Sequence, residues 1–182
     1  MNNYAKKTIA VIGIAHTGLA IAEVMRDRGA QVRIYDKKAA GELADEIAIA
    51  KSFGAEVVTG TNSVDLNGVD LLVPSPGVPA NLPVFDEARI RNVEIISEIE
   101  LAFRLSKAPI IAITGTNGKT TTTILTGRML QESGIETYIA GNVAAGDIRL
   151  PLISAVHKAA PQSVIVAEIS TFQLEWVHKF QP

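Results

Sequence analysis

The sequence predicts an α/β chain, a Rossmann-like parallel-sheet domain followed by part of a phosphate-loop α/β domain. Three observations carry this expectation. Short β-branched apolar runs alternate with helical stripes along the whole chain, the pattern of parallel sheets covered on both faces. The first run, TIAVIGI (Thr8–Ile14), enters a helix through the glycine-flanked turn GIAHTG. A later run, Ile110–Ile113, enters another helix through GTNGKT.

The composition narrows the classes. With 182 residues and 47% hydrophobic content the chain can bury a sizeable core, and a boundary near residue 97 divides it into 1–97 and 98–182. Its 17 basic and 19 acidic residues leave a net charge of −2, no footprint for nucleic acid or an anionic membrane. The absence of cysteine excludes disulfides and thiolate chemistry and fits a reducing cytoplasm. Lys6 and Lys7 precede an apolar stretch, but Gly13 breaks it and His16-Thr17-Gly18 follows, so it is too short for a signal peptide or membrane span. The expectation is a cytoplasmic protein with no membrane insertion and no nucleic-acid partner.

The elements follow in order. After the first strand, Leu19, Ala20, Ile21, Val24 and Met25 mark a helical stripe over Thr17–Arg28, with Gly29 as its stop. QVRIYD (Gln31–Asp36) is the next strand, completing a βαβ unit with a right-handed crossover. Its turn is close to a dinucleotide fingerprint, except that Ala15 replaces the middle glycine where a pyrophosphate needs the closest backbone approach. Asp36 stands where a ribose-binding carboxylate would stand. A helix over Glu42–Phe53 and a strand over Ala55–Thr59 come next, then a polar loop. VDLLVPSPGVP (Val69–Pro79) is a buried strand running into a turn that Pro74, Pro76 and Pro79 hold in one shape. A rigid loop at the carboxyl end of a parallel strand is where open α/β sheets place ligands. Pro83–Arg91 is a short helix, Val93–Ser97 a strand and Glu98–Leu105 a helix.

In the second half, Gly115 and Gly118 let the backbone turn with its N–H groups inward, ahead of a helix over Thr120–Ser133. Such a nest suits phosphate oxygens; Lys119 adds a cation, and the Thr120 hydroxyl can ligate magnesium. The motif is the short G-x-x-G-K-T, because Ile113 occupies the place of the first glycine in G-x-x-x-x-G-K-[ST]. A strand over Glu136–Ala140 and a helix over Leu152–Ala160 lead to SVIVAEIS (Ser163–Ser170). Glu168, the one acid of that strand, sits at its carboxyl end. It is either a solvated strand end or a functional carboxylate, whose natural job in a phosphate-loop fold is to hold magnesium, directly or through water, opposite the threonine.

Four stretches now stand together: GIAHTG (13–18), SPGVP (75–79), GTNGKTTT (115–122) and AEISTFQLE (167–175). In this order and spacing they resemble the Mur ligases of peptidoglycan synthesis. The G-x-x-x-T-G turn, the SPG loop and the E-x-S-[ST]-F-Q-L run point, within that family, to the branch that adds D-glutamate. The resemblance covers essentially the whole chain, while the chain covers only part of such an enzyme.

The resemblance implies an ATP-dependent amide ligase with Mg2+, acting on UDP-N-acetylmuramoyl-L-alanine and D-glutamate through an acyl phosphate. It implies that Thr116, Asn117, Gly118, Lys119, Thr120, Thr121 and Thr122 bind ATP. Thr120 and Glu168 would hold the metal, with Lys119 and Glu168 as the catalytic pair. His16, Thr17, Lys37, Ser75, Gly77, Asn142 and Ser170 would contact the uridine-linked substrate. Gly141-Asn142 matches the family's GN turn, although the stretch 144–149 is longer than usual before Leu150-Pro151. The family's further metal ligands and its amino-acid-binding domain are not in this sequence. The 182 residues alone are therefore expected not to ligate. A non-catalytic uridine-nucleotide-binding module and an NAD-linked oxidoreductase built on Gly13–Gly18 and Asp36 are the two alternatives.

Overall fold

The computed structural model describes residues 4–143, 145 and 148–182. Of the long stretch after the Gly141-Asn142 turn, Ala144, Gly146 and Asp147 lie outside the described residues. The chain forms two compact units, one ending at Glu98 and the other running from Ile99 to Pro182.

The first unit contains β1 (Thr8–Ile12), α1 (His16–Arg26), β2 (Gln31–Asp36), a 3₁₀ turn (Ala40–Glu42), α2 (Ala44–Ser52), β3 (Glu56–Thr59), β4 (Leu71–Pro74), α3 (Pro83–Ile90) and β5 (Glu94–Ile95). Its sheet runs β3-β2-β1-β4-β5 with every pair parallel. Ile9, Val11, Ile34, Leu72 and Val73 are wholly buried. The apolar runs are continuous rather than alternating because helices cover both faces. On α1 the buried residues Ile21, Val24 and Met25 form one stripe, and Gly29 closes the helix in a left-handed turn. Its N–H donates to Arg26 O and that of Ala30 to Met25 O, a Schellman closure. Asn92, at φ +56°, does the same for α3.

β1 is shorter than the apolar run that announces it. Gly13 turns away at φ +102°, and the Ile14 N–H leaves the ladder to donate to the Asp36 carboxylate. The strand order reverses between β1 and β4, so Gly13–Ala15 and Ser75–Pro79 flank the crevice where doubly wound sheets bind ligands.

The second unit contains α4 (Glu98–Leu105, its first residue still in the first unit), β6 (Ile110–Ile113), α5 (Lys119–Glu132), β7 (Thr137–Gly141), α6 (Leu152–Lys158), β8 (Val164–Glu168) and a 3₁₀ turn (Thr171–Leu174). Its sheet is parallel in the order β6-β8-β7. The α5 helix begins at Lys119, one residue before the expected Thr120, because the left-handed Gly118 is its N-cap. Ile153, Ile165, Val166 and Ala167 are fully buried. Among the described residues no helix is long and apolar enough to cross a membrane.

Candidate functional site

In the first unit a cavity of about 310 Å³ opens at the carboxyl ends of β1, β2 and β4. Lys37, Ser75 and Gly77 line it together with Gly13, Ala15 and Asp36. Two strand ends meet tightly there. The Ser75 hydroxyl donates to Gly13 O at 3.3 Å, and a Cβ on Gly13 would lie 2.9 Å from Ser75 Oγ. Gly18 matters in another way. A Cβ there would sit 2.1 Å from the Gly13 carbonyl oxygen, so only glycine lets α1 approach the end of β1 this closely.

Asp36 does not present a free carboxylate. Its Oδ2 accepts the Ile14 N–H at 3.0 Å and its Oδ1 the Lys38 N–H at 2.9 Å, so it braces the turn. His16 and Thr17 start α1 and are not among the residues lining the cavity. Sequence reasoning missed Tyr35, Thr61, Asn62, Val64 and Leu82 in the wall. The usable signal for Thr61 and Asn62 was a polar loop at the carboxyl end of a parallel strand. The Tyr35 hydroxyl donates to Asp65 O at 3.2 Å, and burial pushes its phenol above the ordinary range, keeping it a neutral donor.

In the second unit the register of β8 builds the site. Glu168 lies opposite Ile113 of β6 on one side and Gly141 of β7 on the other. A Cβ on Gly141 would come within 2.3 Å of Glu168 O, so glycine lets the next residue turn in. The Asn142 N–H donates to Glu168 O, and Asn142 Nδ2 donates to Oε1 at 3.2 Å. Thr120 Oγ1 donates to Oε2 of the same carboxylate at 2.6 Å. Glu168 is 3% exposed, and among the described residues no basic side chain pairs with it. A buried carboxylate held only by neutral donors is electrostatically incomplete and favours a cation.

The turn before α5 is exposed from Thr114 to Gly118, with Gly115 at φ +148° and Gly118 at φ +75°. Lys119 Nζ folds back onto that turn, donating to Gly115 O at 2.8 Å and Thr116 O at 3.5 Å. Thr116, Asn117, Gly118, Thr121 and Thr122 lie on this turn and the first turn of α5, beside Lys119 and Thr120. Ser170 is half-buried, its N–H and hydroxyl both donating to Gln173 Oε1, at 2.9 and 3.1 Å. A hydroxyl and one carboxylate, all oxygen donors, suit magnesium, which takes one or two protein oxygens and fills its octahedron with phosphate and water.

A lysine and a threonine at a glycine turn, facing one acid at the end of the neighbouring parallel strand, place the chain among α/β proteins with a phosphate-loop-like turn. Residues 7–97 match "Mur ligase MurD-like, N-terminal domain" and residues 113–181 match "Mur ligase middle domain". The chain belongs to the Mur ligase family. It is 41% identical over 179 residues to the UDP-N-acetylmuramoylalanine--D-glutamate ligase of Alkaliphilus metalliredigens, covering 97% of this chain and 38% of that protein. It is 42% identical over 177 residues to the ligase of the same name from Pelobacter propionicus, covering 97% of this chain and 39% of that one. The chain thus spans under two fifths of these relatives' length. Among solved structures, the UDP-N-acetylmuramate:L-alanyl-gamma-D-glutamyl-meso-diaminopimelate ligase of Neisseria meningitides superposes with a TM-score of 0.58 at 22% identity. That match covers 90% of this chain and 52% of the other, and it speaks for the fold.

Proposed function

We propose that this chain carries the uridine-nucleotide-binding and ATP-binding parts of a ligase that joins D-glutamate to UDP-N-acetylmuramoyl-L-alanine. The observation that carries the reading is the buried Glu168 carboxylate facing the Thr120 hydroxyl beside the Gly115–Lys119 turn. The relatives named for this reaction support it, and the cavity at Lys37, Ser75 and Gly77 suits the uridine diphosphate. Residues up to about 97 serve the uridine-linked substrate, and those after it serve ATP.

The chemistry asks for what these residues supply. A carboxylate is a poor electrophile until one of its oxygens becomes part of a good leaving group. Transfer of the γ-phosphoryl group of ATP to the muramoyl-alanine carboxylate gives an acyl phosphate and ADP. The D-glutamate amine then attacks the carbonyl carbon, expels inorganic phosphate and loses its proton. The transfer step needs in-line positioning and cancellation of phosphoryl charge. The backbone N–H groups of Thr116 to Thr121 hold the β- and γ-phosphates, and Lys119 swings from the Gly115 and Thr116 carbonyls onto them. Thr120 and Glu168 hold Mg2+, which when bound neutralises charge on the phosphate oxygens. Asn142 fixes the Glu168 carboxylate and borders the acceptor end of the substrate with Ser170. His16 and Thr17, at the start of α1, offer first-turn amides to the diphosphate because Ala15 has no side-chain oxygen to cap them.

Calorimetric titration tests this. UDP-N-acetylmuramoyl-L-alanine is expected to bind, to be displaced by UDP and not by NAD, and to lose affinity when Ser75 is replaced by alanine. Magnesium with a non-hydrolysable ATP analogue is expected to bind at a second site. Uridine-nucleotide binding with no magnesium–nucleotide binding would reduce the chain to a non-catalytic module. Binding of NAD in place of UDP would overturn the reading.

A further inference from the structure

The second unit holds another buried acid, far in sequence from Glu168. Glu100, on α4, is wholly buried. Its Oε2 accepts three consecutive backbone N–H groups, from His178 at 3.0 Å, Lys179 at 2.9 Å and Phe180 at 2.9 Å. Its Oε1 accepts Arg104 Nε at 2.7 Å, and Arg104 is itself 9% exposed. Next to it the Phe180 ring packs edge-on against Phe103 at a centroid distance of 5.5 Å. Successive amides converging on one oxygen form the nest that proteins use to bind anions. Here a side chain of the same unit fills it.

Packing alone does not call for this. Burying a carboxylate costs several kcal/mol, and an apolar anchor of similar volume often gives equal or greater stability. What a charge adds is register, because three particular amides must meet one atom. The segment so fixed is the run that leaves β8. Its near end is tied where Ile169 N–H donates to Ile113 O and where Ser170 is held by the buried Gln173. Its far end is tied at Glu100. The residue just before this run is Glu168.

We propose that Glu100 is a positioning residue for the metal side of the nucleotide site. By gripping the amides of 178–180 it sets the register of the run that follows Glu168. It thereby keeps Glu168 and Ser170 placed for the metal-bound nucleotide. This rests on the reading of Thr120 and Glu168 as the magnesium site. The amides of the 115–119 turn lie on a separate segment, so Glu100 acts on the metal's contribution and leaves bare nucleotide binding alone.

The test compares the unaltered chain with Glu100→Gln and Glu100→Asp. Hydrogen exchange is read at the amides of 178–180, and calorimetry reads the β,γ-imido analogue of ATP with and without magnesium. Glutamine keeps the shape and removes the charge; aspartate keeps the charge and withdraws it by one methylene. Both are expected to lower amide protection at 178–180 about tenfold and to shrink the magnesium-dependent gain in affinity several-fold, with metal-free affinity unchanged. Loss of protection with an unchanged magnesium gain would overturn the positioning role and leave a structural tie. Unchanged protection would overturn it as well. If the unaltered chain shows no magnesium-dependent gain, the reading of Thr120 and Glu168 itself falls. If both variants fail to fold, Arg104→Lys, which retains the charge but not the Nε contact, is expected to give the same two losses in milder form. An unaltered response there would overturn the proposal.

Discussion

The Thr120 hydroxyl donates to Glu168 Oε2 across 2.6 Å, joining residues 48 positions apart. As magnesium ligands both oxygens would offer a lone pair, which would require the Thr120 hydroxyl to turn its proton away from Glu168. Thr120→Val keeps the shape and removes the lone pairs. It is expected to lower the magnesium-dependent affinity for an ATP analogue about tenfold or more, a loss of about 1.5–3 kcal/mol, whereas Thr120→Ser loses little. Glu168→Gln separates stability from binding. Without metal it removes an uncompensated buried charge, so the melting temperature is expected to rise, while magnesium with nucleotide no longer raises it. A lower metal-free melting temperature in Glu168→Gln would contradict this account.

The approach of α1 to the end of β1 offers a sharp steric test. Gly18→Ala places a methyl 2.1 Å from the Gly13 carbonyl oxygen, which is backbone and cannot move aside cheaply. The expected cost is about 1–3 kcal/mol, enough to lower the melting temperature of the first unit by several degrees. Gly77→Ala is the control. Nothing lies within 4 Å of its added Cβ, so only the strain of φ +90° remains, about 1–2 kcal/mol. Equal behaviour of Gly18→Ala and the unaltered chain in thermal denaturation would contradict the close contact.

What was legible in the sequence was what local chemistry dictates. The strand runs, Lys119, Thr120 and the lone acid Glu168 could be found because each sits at a fixed offset from a turn. Partnerships across the fold could not. Asn142 orients Glu168 because β7 and β8 are neighbours in register, which no local pattern states. Glu100 reads along the chain as one more acid on an amphipathic helix; its burial comes from amides 78 to 80 residues away. Thr61 and Asn62 lay in a loop whose polarity alone does not mark a wall. The starts and stops of β1, β4 and α5 shifted where Gly13, Pro74 and Gly118 end or begin the regular backbone.

Asp36 separates the uridine reading from the dinucleotide one. Both of its oxygens are occupied by backbone donors, at Ile14 and Lys38, so it is a brace rather than a free ribose acceptor. Asp36→Asn turns an acceptor into a donor facing one of those N–H groups. A loss of about 1–3 kcal/mol of stability in the first unit is expected, with weaker UDP binding as the loop relaxes. NAD is expected to leave the intrinsic fluorescence and the UDP isotherm of the unaltered chain unchanged. Competition by NAD would restore the oxidoreductase alternative.

Acid should loosen the second unit through Glu100. Burial alone would raise its pKa, but the amides of Lys179 and His178 and the Arg104 guanidinium outweigh it and hold the carboxyl below its ordinary value near 4.5. A group whose folded pKa is depressed contributes stability that is fully present above the unfolded value and is lost as pH falls through the folded one. Glu100 therefore supports the unit at neutral pH and stops doing so only below about pH 4.5. In urea denaturation at pH 7 and at pH 3, Glu100→Gln is expected to be less stable than the unaltered chain at pH 7, with the gap narrowing at pH 3. Some acid sensitivity survives in the variant, because the Ser163 and Tyr138 hydroxyls also hold the exposed Glu136 below its ordinary value. Asp70 is the first unit's counterpart, lowered by Lys7 and by the Thr8 amide, so Asp70→Asn should flatten the acid response of that unit alone. A gap for Glu100→Gln that stayed constant or widened between pH 7 and pH 3 would show that its charge is not what the three amides hold.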